Sequence, residues 1–136
     1  MAYGEGRSPF GFEDLEVYKA ARELRKRVYK LAKRLPAEER YGLSLQMRKA
    51  AVSLTNNIAE GHGRYHWQDN TRFCRQSRGS LCEIVDDINV CIDEVYAKKE
   101  HLDDLKTDAA RVLRLLNGYI AYLQRQRKAD AGEGRP

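Results

Sequence analysis

Glu60, His62 and His66 are the side chains of this sequence whose types could hold a metal or exchange protons, and Ser53, Asn57, Ser77 and Ser80 supply hydroxyl and amide groups on either side of them. Their spacing argues against catalysis. Metal-binding helices offer histidines at i, i+4 with a carboxylate from a facing helix, whereas this Glu-x-His-x-x-x-His run is interrupted by Gly61 and Gly63 and has no Glu-x-x-His to support it. A helical ribonuclease that sets an arginine some four to six residues before its histidine is also excluded. No arginine stands at that distance before His62, His66 or His101. Neither a Gly-x-Ser-x-Gly elbow nor a Gly-rich phosphate loop is present. The expectation is a chain without catalytic residues, metal or cofactor.

Ser53, Asn57 and Glu60 have another use. Steps of four and three residues bring them to one side of a helix, at the edge of an apolar stripe. Gln46, Asn57, Arg48, Arg64 and Arg72 are donors within the same region for a carboxylate placed there. A hydrogen-bonded layer of this kind fixes the register of a bundle.

The strongest binding signal lies earlier in the chain. Lys19, Arg22, Lys26, Lys30 and Lys33 fall on one narrow stripe of a helix at about 100° per residue, opposite its apolar residues. Arg25, Arg27 and Arg34 flank the stripe. A solvated helix face normally alternates its signs, yet Glu23 is the only acid between Arg22 and Arg34. A ridge of one sign suits phosphates. Arg72, Arg75 and Arg78 form a second basic row, with Glu83, Asp86, Asp87, Asp93 and Glu94 after it as the main acidic region. Arg75 and Arg78 have a competing use as partners for such acids on a neighbouring subunit.

Four helices must position these groups. Val17, Ala21, Leu24, Val28, Leu31 and Leu35 recur at helical steps between Phe12 and Pro36. A second helix is expected from about Glu38 to Gly61 on Leu43, Met47, Ala50, Leu54 and Ile58, with small residues that permit a close neighbour. A third spans about Trp67 to Tyr96 on Phe73, Ser77, Ser80, Leu81, Ile84, Ile88, Cys91 and Val95. The fourth runs from about Leu102 to Arg125 on Leu102, Leu105, Ala109, Val112, Leu116, Ile120 and Leu123. Short connections make the arrangement an all-α, antiparallel, up-down four-helix bundle. Residues 1–11 are expected to be a flexible N-terminus, 12–125 the bundle, and 126–136 a disordered tail.

The 136-residue length fits one domain, and its three prolines leave the interior nearly free of helix breakers. No apolar run is long enough to cross a membrane and the N-terminus lacks the order of a signal peptide, so the expected location is the cytoplasm. Cys74, Cys82 and Cys91 lack a Cys-x-x-Cys pair and read as reduced packing residues. A formal charge of +5 and a pI near 9.2 permit a polyanionic partner.

Tyr41, Gly42, Leu43, Gln46, Arg48, Ala50, Ala51 and Ser53 lead into Asn57-Ile58-Ala59-Glu60-Gly61, then Arg64, then Gly79, Ser80, Leu81 and Glu83. This order resembles the four-helix-bundle family of proteins encoded within intervening sequences of bacterial large-subunit ribosomal RNA genes, over roughly residues 12 to 125. The resemblance implies a homopentameric, barrel-like assembly with a basic surface. It includes a relative, the accessory variability protein of diversity-generating retroelements, that binds RNA and DNA and partners a reverse transcriptase. Arg48, Ser53, Asn57, Glu60, Gly61, Ser80 and Glu83 belong to the shared motif, which joins the second helix to the third. His66-Trp67-Gln68-Asp69 departs from it, standing where members usually begin a helix with Ser. Trp67 there either packs or stacks on a base.

The implied function is that of a nucleic-acid-binding accessory protein. Five subunits of formal charge +5 would carry about +25 on one ring, enough to bind phosphates through counterion release. A second reading is an interaction scaffold that docks an acidic protein, and a third is a small helical enzyme dependent on Glu60.

Overall fold

The computed structural model describes residues 7–132. Among them it contains four long helices and no strand: α1 (Glu16–Arg34), α2 (Leu43–His62), α3 (Trp67–Asp93) and α4 (Lys99–Gly132), with short 3-10 turns at Gly11–Asp14 and Ala37–Glu39. Each helix packs on its sequence neighbours, and α1 also packs on α4, while α1 and α3 make no contact. The four therefore stand at the corners of a square, and α1 and α3 occupy one diagonal. Contacts between the neighbours show that they are antiparallel. Ala32 meets Ser44 while Arg25 meets Thr55, and Asn89 meets Lys106 while Asn70 meets Tyr119. This is the up-down bundle expected from the periodicity.

The core is the set of stripes read from the sequence. Leu24, Val28, Met47, Leu54, Ile58, Ile84, Ile88, Leu105, Leu116 and Leu123 are almost wholly buried. Side chains of this kind contribute about 1.5–3 kcal/mol each when removed from water, which outweighs the weak intrinsic stability of the separate helices. No helix of the described residues is long and apolar enough to cross a membrane.

Four boundaries differ from the sequence reading. Residues around Phe12 form a 3-10 turn before α1, held by Ser8: its hydroxyl donates to Glu13, and its amide donates to Asp14 at 3.2 Å. Phe12 stacks edge-on against Tyr18 with centroids 4.9 Å apart and docks this turn on the bundle, while Arg7, Pro9, Phe10 and Gly11 are exposed and residues 1–6 of the expected flexible segment lie outside the described residues. The second helix starts at Leu43 instead of Glu38. Glu39 accepts from the Leu43 amide at 3.2 Å and, through its other oxygen, from the Tyr96 hydroxyl at 2.8 Å, which ties the start of α2 to the α3–α4 connection.

The other two changes concern the ends of α3 and α4. Val95 was expected in the core but is 80% exposed with φ 57°. It occupies the left-handed position after the C-cap Glu94, where the Tyr96 amide donates to the Cys91 carbonyl at 2.9 Å and the Val95 amide to that of Ile92 at 3.2 Å. At the other end, α4 continues seven residues past Arg125 to Gly132, because Gln126, Arg127, Lys128, Ala129 and Ala131 are good helix formers with no proline before Pro136. The expected tail thus begins as helix, and residues 133–136 lie outside the described residues.

At Gly61, α2 packs tightly against α3. A Cβ there would lie 2.7 Å from Asn70 Oδ1, 2.9 Å from Phe73 Cβ and 3.1 Å from the Asn70 carbonyl. Gly61→Ala is expected to destabilise the fold by about 1–3 kcal/mol in urea unfolding. Val95→Gly, which relieves a β-branched residue in left-handed backbone, is expected to stabilise it by about 1 kcal/mol. Equal, small effects of the two changes would contradict this account of the helix ends.

Candidate nucleic-acid interface

The polar residues that opened the sequence reading divide into two groups. Ser53 and Ser80 share a hydrogen bond of 2.8 Å across α2 and α3, and the Asn57 amide donates to the Ser53 carbonyl at 2.9 Å and to its hydroxyl at 3.1 Å. Ser77 donates to the Leu54 carbonyl at 2.7 Å. With Gly61 they form one seam between α2 and α3. Glu60 does not join it. Its carboxylate is exposed and pairs with Arg64 one turn on, at 3.2 Å. Glu60 and His62 both lie on α2 but two residues apart, which aims them to different sides, His62 to Gly11, while His66 is exposed as the residue before α3. Among the described residues no three His, Cys, Asp or Glu side chains gather closely enough to hold a metal. Arg48 is half-buried beside a groove with Tyr29, Lys49 and Ser53.

The basic ridge is intact on the outside of α1. Lys19, Arg22, Lys26, Lys30 and Lys33 are all exposed, on the face opposite Val17, Ala21, Leu24, Val28 and Leu31. Lys19 pairs with Glu16 at 3.6 Å and Lys26 with Glu23 at 3.3 Å, both exposed pairs of the weakly stabilising kind. Arg22, Lys30 and Lys33 form no ion pair among the described residues. The flanking arginines are used differently. Arg25 donates to the Thr55 hydroxyl at 2.8 Å, and Arg27 bonds to Asp108 and, at 3.3 Å, to Asp104, clamping α1 to α2 and α4.

The second row does not extend the ridge, because α3 is diagonal to α1. Arg72 and Arg75 are exposed on the far side of the molecule, while Arg78 reaches across to Asn117 on α4 at 2.8 Å. Arg72 lies 4.5 Å from the Phe73 ring centroid and 3.8 Å from Asp69, and Arg64 lies 5.1 Å from the same ring. One copy of the chain therefore presents an exposed basic ridge on α1 and a smaller, partly engaged basic row on α3.

Two features escaped the sequence reading. One is an aromatic end to the bundle, where Trp67, Tyr119 and Tyr122 meet. The other is Asp87, grouped above with the outward acids but only 5% exposed. Its Oδ2 has no hydrogen-bond partner. Burial, followed by the nearby charges of Glu83 and Asp86, pushes its pKa up to about 6. Of the cysteines, Cys74 and Cys91 are packing residues whose thiols burial pushes up to about 12 and about 11, whereas Cys82 is exposed.

Together these observations define an all-α four-helix bundle with a hydrogen-bonded seam between α2 and α3 and an exposed basic ridge on α1. The chain belongs to the 23S rRNA-intervening sequence protein family, whose model matches residues 13–118. No curated protein matches it.

Asp87 makes stability depend on pH with a definite sign. Its folded pKa lies above the ordinary 3.8, so the folded state holds the extra proton between about pH 4 and pH 6 and stability falls as pH rises through that window. The loss is expected to be roughly 1–2 kcal/mol after allowing for solvent screening. Asp87→Asn should flatten this slope and raise the unfolding midpoint at pH 8, with Glu83, Asp86 and Cys91 the neighbouring titratable groups that remain. An unchanged slope would mean that another group carries it.

Proposed function

We propose that this chain is a non-enzymatic accessory protein that binds RNA or DNA through phosphate contacts along the outer face of α1. The observation that carries the reading is the excess of positive charge on that face: five exposed cations in line, of which, among the described residues, Lys19 and Lys26 pair with Glu16 and Glu23 and the other three form no ion pair. Cations free of intramolecular partners release counterions when phosphates replace them, and this gives affinity without base readout. Membership in a family named for ribosomal RNA intervening sequences is compatible with such a role.

The active form in this reading is a closed homo-oligomer, a pentamer by resemblance, which repeats the ridge around a ring and multiplies weak contacts. A reverse transcriptase of a diversity-generating retroelement is the proposed protein partner, and the cytoplasm the proposed location. A groove of ≈ 350 Å³ between α3 and α4, lined by Leu81, Cys82, Val85, Ala109, Ala110 and Leu113, favours a second reading. In that reading the chain is a scaffold that docks another protein, and nucleic-acid contact is incidental.

Lys26→Glu combined with Lys30→Glu tests the first reading. Neither side chain packs in the core, so light scattering should report an unchanged assembly. Fluorescence anisotropy with labelled structured RNA and duplex DNA at about 0.1 M salt should show affinity lowered by roughly 100-fold. Undiminished affinity would remove the α1 ridge from the mechanism.

A further inference from the structure

The end of the bundle where α2 turns into α3 carries exposed aromatic surface that the core does not require. Tyr65 is 94% exposed and held at φ 61°, a backbone region that a bulky residue rarely adopts. Beside it, the Trp67 indole donates to Asp130 in the last turn of α4 and stands edge-on to Tyr122, with centroids 6.4 Å apart. Tyr122, 42% exposed, stacks on Tyr119 at 6.2 Å with ring planes 15° apart. Tyr119 in turn accepts from the Asn70 amide at 3.0 Å. Trp67 and Tyr119 are therefore each fixed by a hydrogen bond.

These rings border two adjoining clefts that share Tyr65, His66 and Trp67. The apolar one, ≈ 330 Å³, reaches inward to Tyr119 and Tyr122. The more polar one, ≈ 420 Å³, opens outward past Arg127 and Asp130. The first has room for a flat group of nucleobase size, and the second sets Arg127 alongside the carboxylates of Asp69 and Asp130, so flanking phosphates must be held elsewhere, on the α1 ridge. Arg64 and Arg72 gather at Phe73 close by, each already paired with a carboxylate, Glu60 at 3.2 Å and Asp69 at 3.8 Å.

We propose that this cleft takes an unstacked base of a single-stranded nucleic acid, held against Trp67 and covered by Tyr65. The proposal rests on the reading that the chain binds nucleic acid, and it adds what the α1 ridge cannot supply, a preference for single strands. Fixed aromatic faces are how proteins stack bases without reading sequence. A base already paired in a duplex cannot enter, so the cleft would direct the protein to loops, ends and unpaired segments while the ridge holds flanking phosphates.

Trp67 is the only tryptophan in the chain, so its emission reports this cleft alone. Native protein would be titrated with an eight-nucleotide single strand, the blunt duplex of the same sequence and a proline-rich peptide, following both Trp67 emission and probe anisotropy. The expected result is saturable quenching by the single strand and little by the duplex. Tyr65→Ala, at a side chain almost fully in water, should weaken single-strand binding by roughly 10-fold. Tyr65→Phe should keep it. The Lys26→Glu, Lys30→Glu variant should lose the duplex yet retain weakened quenching by the single strand. Anisotropy showing that both nucleic acids bind while Trp67 emission stays constant would overturn the proposal and leave the ridge standing. Quenching by the peptide alone would overturn it in favour of a protein ligand. Absence of both signals with both nucleic acids would bring down this proposal and the nucleic-acid reading together.

Discussion

Close approach of α2 and α3 is the constraint on which the rest of the structure depends. Gly61 leaves no room for a side chain against Asn70 and Phe73, and Ser53, Ser77 and Ser80 replace bulk with hydrogen bonds along the same seam. Small residues let two helices pack deeply, and their hydroxyls fix the register at which they do so. A shift of one turn would unpair the serines and drive Gly61 away from Phe73. The shared motif of the family is thus a packing device in this chain. Of its polar members, Ser53, Asn57 and Ser80 are engaged with one another, and Glu60 pairs with Arg64 on the same surface.

Two consequences for function follow from that seam. It fixes where the α2–α3 connection lies, and with it Tyr65 and Trp67, to which the long α4 returns Tyr119, Tyr122 and Asp130. It also sets α3 opposite α1 in the square. Because α2 and α4 are the long helices that α1 meets, its outer face is left to water, and Arg25 and Arg27 fasten its edges to those two neighbours. The clamps consume two cations and leave the five of the ridge on an exposed line. Structural and solvent-facing arginines are thereby separated on one helix.

How much of this was legible in the sequence depended on whether a feature is local. The α1 ridge, the four apolar stripes and the serine seam repeat at helical steps, and they stand where the periodicity put them. Asp87 had a legible signal that its charge concealed: it lies three residues after Ile84 and four before Cys91, on the buried stripe. Val95 continued that stripe by spacing, but the α3 terminus intervened, and helix ends are set by backbone hydrogen bonds that periodicity does not register. The aromatic cleft was illegible for another reason. Trp67 and Asp130 are 63 positions apart, and their meeting depends on α4 extending to Gly132, past a point where composition suggested a tail.

The central claim is that the protein binds nucleic acid through phosphates. The most direct measurement is the affinity of the wild-type protein, sized by light scattering, for labelled structured RNA across salt concentrations. A submicromolar complex at low salt whose log affinity falls linearly with log salt, with a slope of about −3 or steeper, is the predicted result. A complex insensitive to salt, or none at low salt, would contradict the account and direct attention to the apolar α3–α4 groove as the working surface.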